Sequence, residues 1–85
     1  MSEKIPLQEP NDDLEGKKFW DQTVGLIEDY LPRFYVAEVK KELEQAGIEA
    51  TEAEIINVRN GRSRRRAVCK AFWSVGKRHY DSLQV

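Results

Sequence analysis

The sequence predicts an all-α fold, a compact domain of four to five helices. Apolar residues recur at helical spacing along most of the chain, and glycine or proline follows each of the first three periodic stretches. Thr51 and Glu54 also have the spacing of a capping box, in which two side chains satisfy the free amides at the start of a helix. A chain of 85 residues suits one domain with a single small core.

The chain is predicted to have a short tail and one folded domain. Residues 1–11 contain Pro6 and Pro10 and show no apolar periodicity, so we expect a flexible N-terminal tail. Residues 12–85 are expected to form a single helical domain. We see no internal repeat that would divide it further.

The first two helices are delimited by caps and breakers. Asp12 or Asp13 can cap the first helix, and Pro32 should end it because proline disfavours helical geometry in the residue before it. The second helix is predicted over residues 34–46, with Gly47 as its stop. Their predicted core stripes are Trp20, Val24, Ile27 and Leu31 in the first helix, and Val36, Val39, Leu43 and Ala46 in the second.

The third helix is short and presents two different faces. It is predicted to begin at Glu52 and to end by Asn60, because Gly61 follows. Ile55 and Val58 should point into the core. The opposite face carries Glu52, Ala53, Ile56, Asn57 and Asn60.

Two apolar lines run along the fourth helix, which is predicted to start with Ser63 as its cap and to end near Ser82. The core line is Val68, Phe72, Val75 and His79, extended by Leu83. The second line contains Cys69, Trp73, Gly76 and Tyr80. Three other short helices can bury both lines in the core. Alternatively, they cover one line and the other stays exposed to bind a partner, most simply a second copy of the chain.

Charge is divided unevenly along the chain, although the formal net charge is only -1. Residues 1–30 carry net -5 and residues 31–54 net -3, whereas residues 55–85 carry +7. A one-sided basic patch of this kind is typical of a nucleic-acid-binding surface. The plainer interpretation is a solvated helix face that the acidic half neutralises.

Several function classes lack support in the sequence. Cys69 is the only cysteine, so neither an internal disulfide nor a thiolate metal site can form, and we expect a small buried side chain in a reducing cytoplasm. No apolar run is long enough to span a bilayer. No nucleophile motif, glycine-rich phosphate loop or metal-ligand spacing is present, so we expect no enzyme activity, no cofactor and no metal.

The arginine cluster is the most specific feature of the chain. With Ser63 as a cap, Arg64, Arg65 and Arg66 fall in the first turn of a helix, where the helix dipole disfavours cations. An approaching phosphate removes this conflict, because exposed amides and guanidinium groups both bind anions. The sequence therefore predicts a DNA-backbone clamp made by Arg59, Arg62, Ser63, Arg64, Arg65 and Arg66.

The exposed face of the third helix would then contact base edges. Asn57 can pair with adenine through two hydrogen bonds, Ala53 and Ile56 can contact thymine methyl groups, and Glu52 can accept from cytosine. Asn60 is a further candidate, although its position before Gly61 also suits a helix stop. Five arginine–phosphate contacts would give a log affinity that falls against log salt with a slope of about -4.5.

A family resemblance supports this interpretation. The run E-I-I-N-V-R-N-G that ends at Gly61 resembles the T-V-S-x-V-L-N-G signature of Cro-like and LacI-like helix-turn-helix regulators, which ends their recognition helix. The second predicted helix, followed by Gly47 and Ile48, resembles the first helix of that motif and its turn. The resemblance covers residues 34–61. It implies sequence-specific binding of double-stranded DNA as a dimer, in a small transcriptional regulator of bacterial or phage type.

Two positions depart from that family pattern. The segment from Gly47 to Gly61 is two residues longer than the usual motif, and Leu43 stands where the family usually has alanine. By position, Ile55 and Val58 match buried residues of the family, whereas Ile56 and Asn57 match residues that face DNA. The departures bear on the angle at which the third helix would dock.

Two other functions remain open. A protein-interaction module, such as an adaptor or antirepressor, would use Cys69, Trp73 and Tyr80 as its contact surface, and its arginines would meet an acidic protein. The same three residues are the candidate contacts of a homodimer. A third alternative is the binding of structured RNA by charge alone.

Overall fold

The computed structural model describes residues 9–11 and 13–83. The helical elements are α1 (Gly16–Trp20), a π-helical turn (Asp21–Gly25), a 3₁₀ turn (Glu28–Tyr30), α2 (Tyr35–Gln45), α3 (Glu52–Arg59) and α4 (Arg66–Leu83). No strand occurs in this described part of the chain. The all-α prediction is therefore confirmed.

The long helix α4 lies at the centre and packs most extensively against α2. Glu38 near the start of α2 contacts His79 near the end of α4, whereas Ala46 just beyond α2 lines the same groove as Ala67 at the start of α4. The two helices therefore run antiparallel. α3 packs against both helices, more extensively against α2 than against α4.

The core contains most of the residues that the periodicity predicts. Its fully or almost fully buried apolar side chains are Phe19, Val24, Ile27, Val39, Leu43, Ile55, Val58, Val68, Cys69, Ala71, Phe72 and Val75. Three predicted core positions are wrong. Ala46 is exposed just beyond the end of α2, and in the last turns of α4 His79 is only half-buried and Leu83 is 70% exposed.

The first helix is interrupted rather than continuous to residue 31. The hydroxyl of the buried Thr23 donates to the carbonyl of Phe19 at 2.8 Å and lies 3.3 Å from that of Trp20. Bonding of a threonine back to the preceding turn competes with the backbone amides and bends helices, and the π-helical turn spans this residue. The prediction that Asp13 caps the helix is wrong, since α1 starts at Gly16; Asp12 lies outside the described residues.

Both predicted glycine stops are confirmed. Gly47 and Gly61 have φ of 74° and 79°, a backbone conformation that glycine adopts without a steric penalty. The amide of Ile48 donates to the Leu43 carbonyl at 2.9 Å, and the amide of Arg62 donates to the Asn57 carbonyl at 2.9 Å. These are the hydrogen bonds of Schellman motifs, so the chain leaves α2 and α3 in the same way.

Of the two hydrogen bonds in the predicted capping box of α3, the one accepted by the Thr51 side chain is present. Thr51 Oγ1 accepts a hydrogen bond from the amide of Glu54 at 3.1 Å. The carboxylate of Glu54 instead contacts Arg65. The hydroxyl therefore fixes the start of α3, while the carboxylate ties α3 to the chain that leads into α4.

Substitution of Thr51 by alanine should destabilise the domain by about 1 kcal/mol, because an amide at the start of α3 loses its acceptor. Thr51→Ser keeps the hydroxyl and should stay within about 0.5 kcal/mol of the parent. Urea denaturation of both variants measures the difference. Equal losses in the two variants would show that the methyl group, and not the cap, is responsible.

Candidate nucleic-acid interface

The outward face of α3 is as the sequence predicts. Ile55 and Val58 are fully buried. The residues predicted to contact bases lie on the other side of the helix: Glu52, Ala53, Ile56 and Asn60 are exposed and Asn57 is half-buried. The face is therefore a mixed ridge of amide, methyl and carboxylate groups that is open to a ligand.

Two charged residues of α3 lie on the flanks of this ridge. Successive side chains of an α-helix are rotated by about 100°, which places Glu54 on one side between the buried and exposed faces and Arg59 on the other. Both side chains are half-buried. Each makes an ion pair with a residue outside α3.

On the first flank, Arg65 contacts α3 and the turn before it. Its Nη1 atom donates to Glu54 Oε1 at 2.9 Å and to the carbonyl oxygen of Glu49 at 2.9 Å. The two side chains of the ion pair are 39% and 33% exposed. The Arg65 guanidinium group is therefore held beside the ridge, and its charge is partly neutralised by the Glu54 carboxylate of α3.

On the second flank, Arg59 contacts the 3₁₀ turn. Its Nη1 atom lies 3.5 Å from Glu28 Oε2, and both side chains are partly exposed. The distance is long for a charge-assisted hydrogen bond but within the range of an ion pair. The ridge of α3 thus has one arginine–glutamate pair on each side.

Two arginines lie between α3 and α4. Arg62 and Arg64 are exposed, and neither side chain makes an ion pair or a hydrogen bond with another residue of the described chain. They follow the ridge at its C-terminal end, one and three residues after Gly61. These guanidinium groups are therefore available to an anion without the loss of an existing contact.

The remaining predicted phosphate contacts have other roles. The helix starts at Arg66 rather than after Ser63, because the amides of Arg62 and Ser63 both bond to the Asn57 carbonyl and keep the chain in the turn. The Ser63 cap is therefore wrong, and so is the placing of Arg64 and Arg65 in the first turn. Arg66 lies over the ring of Phe19 at 4.1 Å from its centroid and donates to the carbonyl of Leu14, so it anchors the segment before α1.

A contact that the sequence did not reveal fixes the end of α3. Trp20 Nε1 donates to the carbonyl of Val58 at 2.5 Å. The apolar spacing indicated that Trp20 packs inward, but no local pattern specifies the acceptor of its indole N–H. The bond ties α1 to the last turn of α3.

The second apolar line of α4 is largely covered. Cys69 and Gly76 are buried, Trp73 is half-buried, and the ring of Tyr80 packs edge-on against Tyr30 with centroids 4.9 Å apart. Burial raises the pKa of the Cys69 thiol above its ordinary value. The prediction of Cys69 as a small buried side chain is confirmed, and its assignment as a dimer contact is wrong because it has no exposed surface.

The described residues contain no group of three or more His, Cys, Asp or Glu side chains that could hold a metal ion. None of the helices in the described ranges combines the length and apolar character needed to cross a membrane. No protein-family model, curated protein or solved structure matches the chain.

Proposed function

We propose that this protein binds double-stranded DNA sequence-specifically, as a small transcriptional regulator in which α2, residues 46–51 and α3 act as a helix-turn-helix. The observation that carries the proposal is the arrangement around α3. An outward ridge with amide and methyl groups has an arginine on each flank, Arg59 and Arg65. At its end are Arg62 and Arg64, two exposed arginines that form no ion pair with another described residue.

This arrangement suits the major groove of B-DNA. The groove is about 12 Å wide, accepts one α-helix, and has a phosphate backbone on each side. A helix seated there needs base-contacting groups along its outward face and cations on both flanks. Asn57 would pair with adenine, Ala53 and Ile56 would contact thymine methyl groups, and Glu52 and Asn60 would add polar contacts.

The longer connection between α2 and α3 is accommodated by packing. Ile48 and Ala50 are partly buried against the core, and Arg65 bonds to the carbonyl of Glu49. The additional residues are thus part of the folded surface instead of a loop that would stand between α3 and DNA. Leu43, the other departure, is 2% exposed and fills the core beneath the turn.

The double variant Arg62→Ala/Arg64→Ala should weaken binding to duplex DNA by roughly 10-fold or more at about 50 mM salt. Two arginines without internal partners should contribute about -1.8 to the slope of log affinity against log salt, at about -0.9 for each phosphate contact. Fluorescence anisotropy with a labelled 20-bp duplex measures both quantities. The double variant should retain the thermal unfolding midpoint of the parent.

Lys77→Ala/Arg78→Ala is a matched control, because it removes the same charge near the far end of α4, about 17 Å or more along the helix from Arg66 at about 1.5 Å per residue. It should bind DNA as the parent does. An absence of affinity for duplex DNA in the parent at about 50 mM salt would remove the proposal. Equal competition by duplex RNA would favour charge-driven RNA binding instead.

A protein-interaction module is the second candidate, and one surface favours it. An apolar groove of about 510 Å³ between α2 and α4 is lined mainly by Leu43, Ala46, Ile48, Ala67 and Ala71. It differs from the surface that the sequence suggested, since Cys69 is buried and Tyr80 is packed against Tyr30. The arginine variants separate the two functions, because only the DNA model requires Arg62 and Arg64 for binding nucleic acid.

A further inference from the structure

Two carboxylates lie on the flanks of the α3 ridge, where the proposed mode of DNA binding would bring phosphates close. Glu28 contacts Arg59 at 3.5 Å on one flank, and Glu54 contacts Arg65 at 2.9 Å on the other. Both carboxylates are partly exposed, so a phosphate can reach either guanidinium group from solvent. Each acid comes from a different part of the chain, one from the 3₁₀ turn and one from α3 itself.

We infer that Glu28 and Glu54 act as internal competitors of phosphate and set the affinity for duplex DNA. This inference rests on the proposed function. While a carboxylate holds Arg59 or Arg65, that arginine adds little net binding, since a new phosphate contact replaces an existing ion pair. The acids also repel phosphate directly, so they weaken binding on both sides of the groove.

The effect should be the same for every base sequence. Neither acid belongs to the outward ridge: Glu28 lies in the 3₁₀ turn and Glu54 on the flank of α3. Phosphate contacts carry no direct sequence information. Glu28 and Glu54 should therefore lower the affinity for all duplexes by one factor, and the contacts of Asn57 and its neighbours should still decide between duplexes.

The salt dependence distinguishes this role from a structural one. Among the four arginines around the α3 ridge in the parent, Arg59 and Arg65 are held by carboxylates, whereas Arg62 and Arg64 form no ion pair with another described residue. These two arginines give a slope of about -1.8. Removal of both acids frees Arg59 and Arg65 for phosphate, and four contacts give a slope of about -3.6. A change in stability alone would not alter the number of counterions that binding releases.

The experiment compares Glu28→Gln, Glu54→Gln and the double variant with the parent, by anisotropy on two labelled 20-bp duplexes of unrelated sequence at several salt concentrations. Exposed ion pairs are weak, so each substitution should raise affinity about 2- to 5-fold at about 50 mM salt. The gain should be equal on both duplexes. The slope should steepen by about 0.9 for each acid removed.

Glu42→Gln is the matched control. It also adds one unit of net charge and breaks an arginine ion pair, that with Arg78 at 2.8 Å between α2 and α4. Its affinity should equal that of the parent, and a gain as large as that of Glu28→Gln would overturn the inference in favour of net charge. Unchanged affinity and slope in both flank variants would also overturn it, whereas a parent that does not bind DNA would overturn the proposed function itself.

Discussion

Replacement of Phe72 by alanine is expected to destabilise the domain by about 3–5 kcal/mol, the usual loss for a fully buried phenylalanine. Phe72 is 0% exposed in the middle of α4, and its ring lies 5.7 Å from that of Tyr35. The truncation removes contacts on the side of α4 that faces α2. At about 0.05–0.15 kcal/mol per residue, a domain of this size has roughly 4–13 kcal/mol in total, so much of its stability should be lost.

Phe34→Ala removes the same atoms from a different environment. Phe34 is 74% exposed, and the Arg33 guanidinium lies 5.9 Å from the centroid of its ring. Its loss should change the free energy of unfolding by no more than about 0.5 kcal/mol. Guanidinium chloride denaturation followed by tryptophan fluorescence compares the two variants, and similar losses in both would contradict the position of the core described above.

The ends of α2 and α3 could be predicted from the sequence because local chemistry determines them. Gly47 and Gly61 are the residues that tolerate the positive φ of a Schellman motif, and the Thr51 hydroxyl bonds only three residues ahead. The outward face of α3 could also be predicted, since Ile55 and Val58 define the buried side. No distant residue is needed for these features.

The interruption of the first helix could not be predicted in the same way. Trp20, Val24 and Ile27 keep the helical spacing, and that spacing alone favours a continuous helix. The π-helical turn accompanies a buried hydroxyl, that of Thr23, which bonds back to the preceding turn. Whether a threonine is buried depends on the packing of α4 beside it, which periodicity within one helix does not contain.

The partners of the arginines were equally inaccessible to sequence reasoning. Charge composition located the cluster, but it did not distinguish Arg59 and Arg65, which are held by carboxylates, from Arg62 and Arg64, which have no such partner in the part of the chain that the structure describes. The pair between Glu28 and Arg59 joins distant parts of the chain. Such pairs arise from tertiary structure, so the expected slope of about -4.5 for five contacts is reduced to about -1.8 for the two arginines that remain unpaired.

Gly76→Ala is expected to destabilise the domain by about 2 kcal/mol although alanine is the better helix former. A Cβ atom at this position would lie 2.5 Å from Ile27 Cβ and 2.8 Å from its Cγ1. Overpacking of a core typically costs about 1–3 kcal/mol, and a contact this short belongs at or above the upper end. The gain in helix propensity, about 1 kcal/mol, offsets only part of that loss.

Gly25→Ala is the matched control, because its added Cβ would meet no atom closer than Trp20 Cζ3 at 3.6 Å. It should be neutral or slightly stabilising. Thermal unfolding should separate the two, with a fall of roughly 8–16 °C for Gly76→Ala at about 4–8 °C per kcal/mol. A midpoint unchanged by Gly76→Ala would show that α4 and Ile27 are not in such close contact. Ile27 immediately precedes Glu28, so the same clash should also displace the acid that holds Arg59. The contact between Gly76 and Ile27 therefore belongs to the core and also supports one flank of the proposed DNA interface.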